Sequence, residues 1–423
     1  MNRQILGWWP NKLNFQPKSS KVALAFLKKW TILIYLNGQN ELAPEMNQAK
    51  CKIEAMTPYE NLNIIIEIGR GHDSLVKILR PSYQKNDSGA SWHGVRRYQI
   101  TGIKSKLILK RKSRNMADPK NLNSFISWGL ATYPAEHYAL IISGHGAPLL
   151  GVLPDFSQDR PYIMGIPEMC DSIYRAERDT DRRIDLLVLD ACYFNYLETL
   201  YEFCKHQETT VQYLLTYYQD GPLSGMDYVA IINQLRKHNN TETVGNIVKK
   251  LPDLISPKVL LATIEKEKLE PIKASAHNLA FMIRLCEGLE NSLTEAERGL
   301  LRVIIHKQKN MLREQISLLT IYYPSQSSGD EDRLLMADPK TINQANLEFY
   351  LNYAFCQNNH WVAMFTQGKN RELFYRKIEA KPHPMTRLMM LKYIQAQNPT
   401  LTNDAHEAIL NWIARRQKWR DLN

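Results

Sequence analysis

Four short runs of apolar residues, each closed by small or polar residues, constrain this chain more than any other feature. Residues 30–36 (WTILIYL) stop at Asn37 and Gly38, and residues 63–68 (NIIIEI) at Gly69, Arg70 and Gly71. Residues 138–142 (YALII) run into Ser143, Gly144, His145 and Gly146, and residues 184–189 (IDLLVL) into Asp190, Ala191 and Cys192. None approaches the roughly 20 apolar residues that a membrane span needs, so no membrane span is expected. Their apolar character is continuous, not alternating, which indicates strands covered on both faces and therefore a parallel sheet. Segments with helical apolar spacing lie between them, at about 41–56, 118–133 and 167–178, and another follows the last at 196–204. Asp118 and Pro119 start one of these well, with a carboxylate N-cap and proline at the first helical position. Strand alternating with helix predicts an α/β fold, an α/β/α sandwich with a mostly parallel central sheet.

The rest of the chain is less regular. Residues 75–115 read as a hairpin with a polar tip at 85–89, ending in the basic stretch 104–114 (KSKLILKRKSR). A strand is expected at 211–217, a polar loop ahead of the helix at 167, helices at 226–236, 242–254 and 271–288, and strands at 259–264 and 317–323. A helix is expected at 341–353, and helices alone from 369 onward. The chain thus divides into an N-terminal extension (1–29), a main domain (30–366) and a basic helical C-terminal appendage (367–423).

The 54 Lys and Arg against 43 Asp and Glu leave a net charge of +11. A basic balance speaks of partners and solubility and not of fold. Residues 369–423 hold 11 basic and 5 acidic residues, and residues 104–114 hold six basic ones. The plainer reading of the second stretch is a solvated strand. The appendage fits a helix that buries its apolar face and turns Lys and Arg outward. Nucleic acid is not an expected partner, and no Walker loop or dinucleotide fingerprint is present. The six cysteines form no Cys-x-x-Cys pair and none stands near a histidine at zinc-ligand spacing. Residues 1–12 hold no continuous apolar core of a leader, and with reduced thiols this sets a cytoplasmic location as the expectation.

Open parallel sheets bind ligands outside the carboxyl ends of their strands. Two successive strands end there in reactive residues, His145 and Cys192. A thiol beside an imidazole is a nucleophile with its base, and the imidazole later protonates the leaving amine. A lone strand-end cysteine is more often buried filler, and a glycine after a strand is more often a turn. The two motifs together change that balance. Gly144 and Gly146 let the backbone come close to a substrate, and a glycine N–H there suits an oxyanion hole.

The residues WTILIYLNGQNEL, SGHGAP, IDLLVLDAC and SLLTIYYP, in this order, resemble the clostripain family of cysteine peptidases, within the caspase-like clan. The likeness spans roughly 30–366 and implies a caspase-like fold. It implies that Cys192 is the nucleophile and His145 its partner, with Gly146 at the oxyanion. Asp190 would line an S1 pocket for a basic P1 residue, arginine ahead of lysine; Asp220 is a candidate second acid there, with a plain turn aspartate before glycine the alternative reading. The substrate would be a protein or peptide, and the chemistry would need no cofactor. Relatives of this kind also mature by cutting themselves after a basic residue, for which Arg160, Arg175, Arg178, Arg182 and Arg183 are candidates. Several depend on calcium, for which Asp155, Asp159, Asp179 and Asp181 are oxygen donors. The chain departs from the family at Ala147, Pro148 and Leu149 after the His motif, and at Tyr217 and Tyr218 before Asp220. Those changes keep a second reading open, an inactive caspase-like module that contacts a partner through its basic tail.

Overall fold

The computed structural model describes residues 27–56, 61–81, 83, 92–101, 105–158, 162–206, 210–288, 293–326, 334–337, 342 and 347–365, without the side chains of 284–288, 348 and 365. Twelve strands are described: β1 (Lys28–Gly38), β2 (Leu62–Arg70), β3 (Gly94–Ile100), β4 (Ser105–Arg111), β5 (Ala135–Ser143), β6 (Gly146–Ala147), β7 (Gly151–Asp155), β8 (Tyr162–Met164), β9 (Ile184–Asp190), β10 (Val211–Tyr217), β11 (Val259–Thr263) and β12 (Ile321–Tyr322). The helices are α1 (Ala43–Glu54), α2 (Asp73–Leu79), α3 (Pro119–Thr132), α4 (Ile166–Thr180), α5 (Leu197–Glu202), α6 (Tyr228–Arg236), α7 (Val244–Val248), α8 (Leu251–Ile255), α9 (Lys266–Gly288), α10 (Glu295–Ser317) and α11 (Leu347–Tyr350).

Nine strands form one sheet in the order β12-β11-β10-β9-β5-β1-β2-β3-β4. The five central strands are parallel, and two antiparallel strands flank them on each side. The apolar runs are the reason for this centre. In β1, Trp30, Ile32, Ile34 and Leu36 pack on one face, and Leu33 and Tyr35 on the other. The first face is covered by α1 and α6 through Met46, Ile53, Ile231 and Leu235. The second is covered by α3, α4 and α5 through Phe125, Ile173 and Leu200. A strand buried on both sides has no polar face to spare, so the sheet must be a sandwich filling. The expected α/β/α architecture stands.

Several expectations need correction, among them the single helix at 242–254, which is two short helices, α7 and α8. The stretch from 75 is not a strand but α2, whose N-cap His72 accepts the Ser74 N–H at Nδ1 (3.3 Å) and whose Leu75, Val76 and Leu79 are buried. The hairpin is β3 with β4; its expected tip at 85–89 lies outside the described residues. The polar loop expected after His145 holds a small sheet, β6-β7-β8. Its strands are two to five residues long and carry Gly151 and Pro154, too short for a periodicity to register. Residues 289–316 received no element, yet α10 fills most of them, opened by a capping box between Thr294 and Glu297. The strand expected at 317–323 shrinks to β12, and of the helix at 341–353 only α11 falls among the described residues. Both the leading 26 residues and the C-terminal appendage lie outside them. Residues 105–111 of the basic stretch form the outer edge strand β4, where lysines discourage pairing with another chain.

Candidate active site

Register sets this site. Ser143 of β5 lies directly beside Asp190 of β9, and Leu36 of β1 beside Ser143. His145 and Cys192 therefore each stand two residues past one rung of the ladder, at the same edge of the sheet. The Gly144 N–H donates to the Asp190 carbonyl across the gap (3.3 Å). The chain goes one way from β1 to β2 and the other way through β5, β9 and β10, so this edge is the topological switch point, where such sheets hold ligands.

A cavity of about 190 Å³ opens there, lined by His145, Cys192, Asp190, Asp220, Ser143, Tyr217 and the loop from Gly221 to Gly225. Four of the five expected site residues thus share one cleft. The fifth, Gly146, is not among its lining residues and lies in β6. A side chain at Gly146 would meet Phe194 Cε2 at 2.2 Å and the Cys192 carbonyl at 2.9 Å, so only glycine fits.

His145 has a partner that the sequence reading missed. Its Nε2 lies 2.7 Å from Oε1 of Glu41, which is 2% exposed in the turn between β1 and α1. Burial alone would lower the imidazole pKa, but the Glu41 carboxylate and its hydrogen bond outweigh burial, and the net shift is upward. Burial likewise favours neutral Glu41, and the His145 charge reverses that, holding the carboxyl below its ordinary value. Both directions have one cause, a contact in which Nε2–H donates to Oε1 and the carboxylate favours the imidazolium once it forms. The signal was present in NGQNEL, where a charged residue follows directly on a strand-closing turn.

Cys192 is half-buried, and its Sγ accepts the Gly221 N–H at 3.4 Å. Burial, with Asp220 and Asp190 nearby, pushes its thiol above the ordinary value. Cys170, Cys204 and Cys356 are buried outright, with Cys204 pushed up to about 12, which is the behaviour of inert packing thiols. Asp190 is 5% exposed, and its Oδ2 accepts from Ser143 Oγ (3.0 Å), Met226 N (3.2 Å) and Tyr228 Oη. Burial raises its pKa and the three donors hold the rise in check. Asp220 sits exposed at the mouth, bonded to the Tyr193 hydroxyl.

The calcium donors do not come together. Asp155 is fully buried, with Oδ2 accepting from Gln39 Nε2 (3.0 Å) and Met116 N, and Oδ1 from Ser157 N (2.7 Å). Asp179 faces Arg178 at 2.8 Å, Asp181 is the exposed left-handed cap of α4, and Asp159 lies outside the described residues. Three donors already occupy the Asp155 oxygens, and no group of three ligating side chains forms among the described residues. Of the arginines named for self-cleavage, Arg175 and Arg178 belong to α4, Arg182 and Arg183 are exposed just before β9, and Arg160 lies outside the described residues.

The family model for the clostripain family matches residues 46–363. None of the curated proteins is similar enough in sequence to match. Among solved structures, one of a secreted C11 cysteine protease from Bacteroides thetaiotaomicron, bound to an irreversible peptide inhibitor, is similar with a TM-score of 0.53 and 14% identity, covering 78% of this chain and 98% of that one. Another, of an inactive zymogen C11 protease from Parabacteroides distasonis, is similar with a TM-score of 0.52 and 15% identity, covering 78% and 97%. At such identities the likeness is one of fold. The expected cytoplasmic location is corrected by it: the Bacteroides protein is described as secreted, which points away from the cytoplasm. The expectation rested on a missing apolar leader and unpaired thiols, and neither is an address.

Proposed function

The chain belongs to the clostripain family and is a cysteine peptidase, and on that premise we propose that Cys192 and His145 form its dyad and that it cuts after a basic residue, arginine ahead of lysine. One observation carries this reading: His145 and Cys192 leave adjacent strands at the same height and line one cleft with Asp190. The Cys192 sulfur attacks the scissile carbonyl carbon as its proton passes to the imidazole. The imidazolium then gives that proton to the leaving amine as the C–N bond breaks, and a thioester remains. Water attacks the thioester, His145 takes its proton, and Sγ receives it back as the acid leaves. The Gly146 N–H is the proposed donor to the oxyanion.

Asp190 and Asp220 give the cleft its sign. Three donors converge on Oδ2 of Asp190, which favours approach of a guanidinium to the other oxygen, and Asp220 adds a second negative charge at the mouth. Self-cleavage between His145 and Cys192 extends the same specificity to the chain itself. The reaction so written needs no cofactor.

An arginyl fluorogenic peptide tests the reading, assayed with the wild type and with Cys192→Ala. Turnover by the wild type alone supports it. Equal turnover by both overturns it. No turnover, with no selective labelling of Cys192 by a thiol-reactive peptide, favours the inactive binding module.

A further inference from the structure

We propose that Glu41 is a positioning residue of this reaction: it grips His145 by Nε2, leaves Nδ1 as the nitrogen that handles the proton, and holds the ring in one orientation. The inference rests on the peptidase reading above. Its geometry is the 2.7 Å contact between a carboxylate and an imidazole at the switch point of the sheet.

Glu41 is held for this contact by a turn that is itself fixed. Asn37 and Asn40 both donate from Nδ2 to the Pro154 carbonyl (2.9 Å each), and Asn40 Oδ1 accepts the Leu42 N–H (2.9 Å). All of these residues are buried. The turn is therefore braced against the strand that follows His145, and the Leu153 N–H donates to the His145 carbonyl (3.0 Å) from that same strand. Imidazole and carboxylate are carried by two segments bonded to one another.

As scaffolding Glu41 would be a poor choice. Its second oxygen, Oε2, is buried with no hydrogen-bond partner, a costly state for a carboxylate. A glutamine would make the same bond to Nε2 without a buried charge. What glutamine cannot do is favour the imidazolium, which the reaction must form and discharge.

The other charges around His145 are accounted for. Arg80 and Glu45 pair with each other at 2.8 Å and act on the ring in opposite senses. Asp190, Asp220 and the Cys192 thiol line the same cleft. Glu41 is the anion in direct contact.

The test is Glu41→Gln, read two ways. The first is the pH profile of kcat and KM on an arginyl peptide. A roughly 10²-fold fall in kcat, a KM changed by less than about threefold, and an acidic limb moved to lower pH are expected. The second is the His145 imidazole titration by NMR in the Cys192→Ala background, its signal identified as the one lost in His145→Ala. Its midpoint should fall in Glu41→Gln and rise in Arg80→Gln, which removes the opposing cation. A titration unmoved by Glu41→Gln overturns the inference whatever the peptidase assay returns. A moved titration with an unchanged kcat also overturns it. Absence of wild-type turnover alongside a moved titration counts against the peptidase reading instead.

Discussion

Tyr228 donates its hydroxyl hydrogen to Oδ2 of Asp190, the oxygen already holding the Ser143 hydroxyl and the Met226 N–H. The carboxyl is buried and pushed upward in pKa, so its ionised form depends on these donors. Tyr228→Phe removes one of them and leaves the ring. The pKa of Asp190 should climb further, and a basic P1 residue should meet less negative charge. On an arginyl peptide kcat/KM is expected to fall about tenfold or more, through KM, since a hydrogen bond to a charged group is worth about 1.5–3 kcal/mol. The loss should deepen as pH falls, because the acid with the higher pKa protonates first. Steady-state kinetics across pH 5–8 check this, and an unchanged KM would remove Asp190 from the proposed S1 pocket.

Gly146→Ala should damage the site without unfolding the domain. The added methyl would lie 2.2 Å from Phe194 Cε2, 2.9 Å from the Cys192 carbonyl and 3.0 Å from Ala191 Cβ. The strand-end segment bearing the nucleophile must then move, at about 1–3 kcal/mol of overpacking. Peptidase activity is expected to fall at least tenfold with only a modest loss of thermal stability. Full activity would mean that the His145 and Cys192 loops need not hold this spacing.

Of the described arginines named for self-cleavage, Arg182 and Arg183 are the two that stand outside a helix. Both are exposed in the link between the left-handed α4 cap at Asp181 and the start of β9, whereas Arg175 and Arg178 are locked in helix. A peptidase binds extended chain, so helical arginines are poor substrates until they unwind. Intact-mass analysis of the purified protein should show two fragments, divided after one of this pair. Cys192→Ala should stay whole, as should Arg182→Gln/Arg183→Gln. A division elsewhere, or in Cys192→Ala, rejects the assignment.

The sheet centre was legible because its strands are apolar on both faces and stop at Gly, Asn or Asp, which leaves little else for residues 30–36 or 184–189 to become. That His145, Cys192, Asp190 and Asp220 would meet at one edge of the sheet was legible for the same reason, since a strand's end shows in sequence. The Glu41 contact with His145 was not, because it depends on β1 lying next to β5, a neighbour relation across more than 100 residues that no local pattern encodes. The β6-β7-β8 sheet escaped through brevity. Helix α2 was misread as strand because seven residues with three buried apolar positions barely fill two turns.

Glu198 should make stability depend on pH. It is fully buried in α5, five residues beyond the Tyr193 that follows the nucleophile, and its Oε1 accepts from Tyr350 Oη (2.9 Å) and Ala337 N (3.0 Å). Its Oε2 is buried without a partner. Burial raises its pKa from 4.5 to about 7 against these donors. Folding therefore increases this group's hold on its proton. Its contribution is most favourable below the ordinary carboxylate pKa, declines as pH climbs from about 4.5 to about 7, and is fully unfavourable above that. The span is on the order of 3 kcal/mol. Glu198→Gln cannot ionise and keeps the acceptor oxygen. Urea unfolding midpoints at pH 5 and pH 8 should differ less in the variant than in the wild type, with the variant gaining at pH 8. Parallel behaviour of the two proteins would mean that Glu198 stays charged in the folded state, and that Ala337 N–H and the Tyr350 hydroxyl bind a carboxylate at neutral pH.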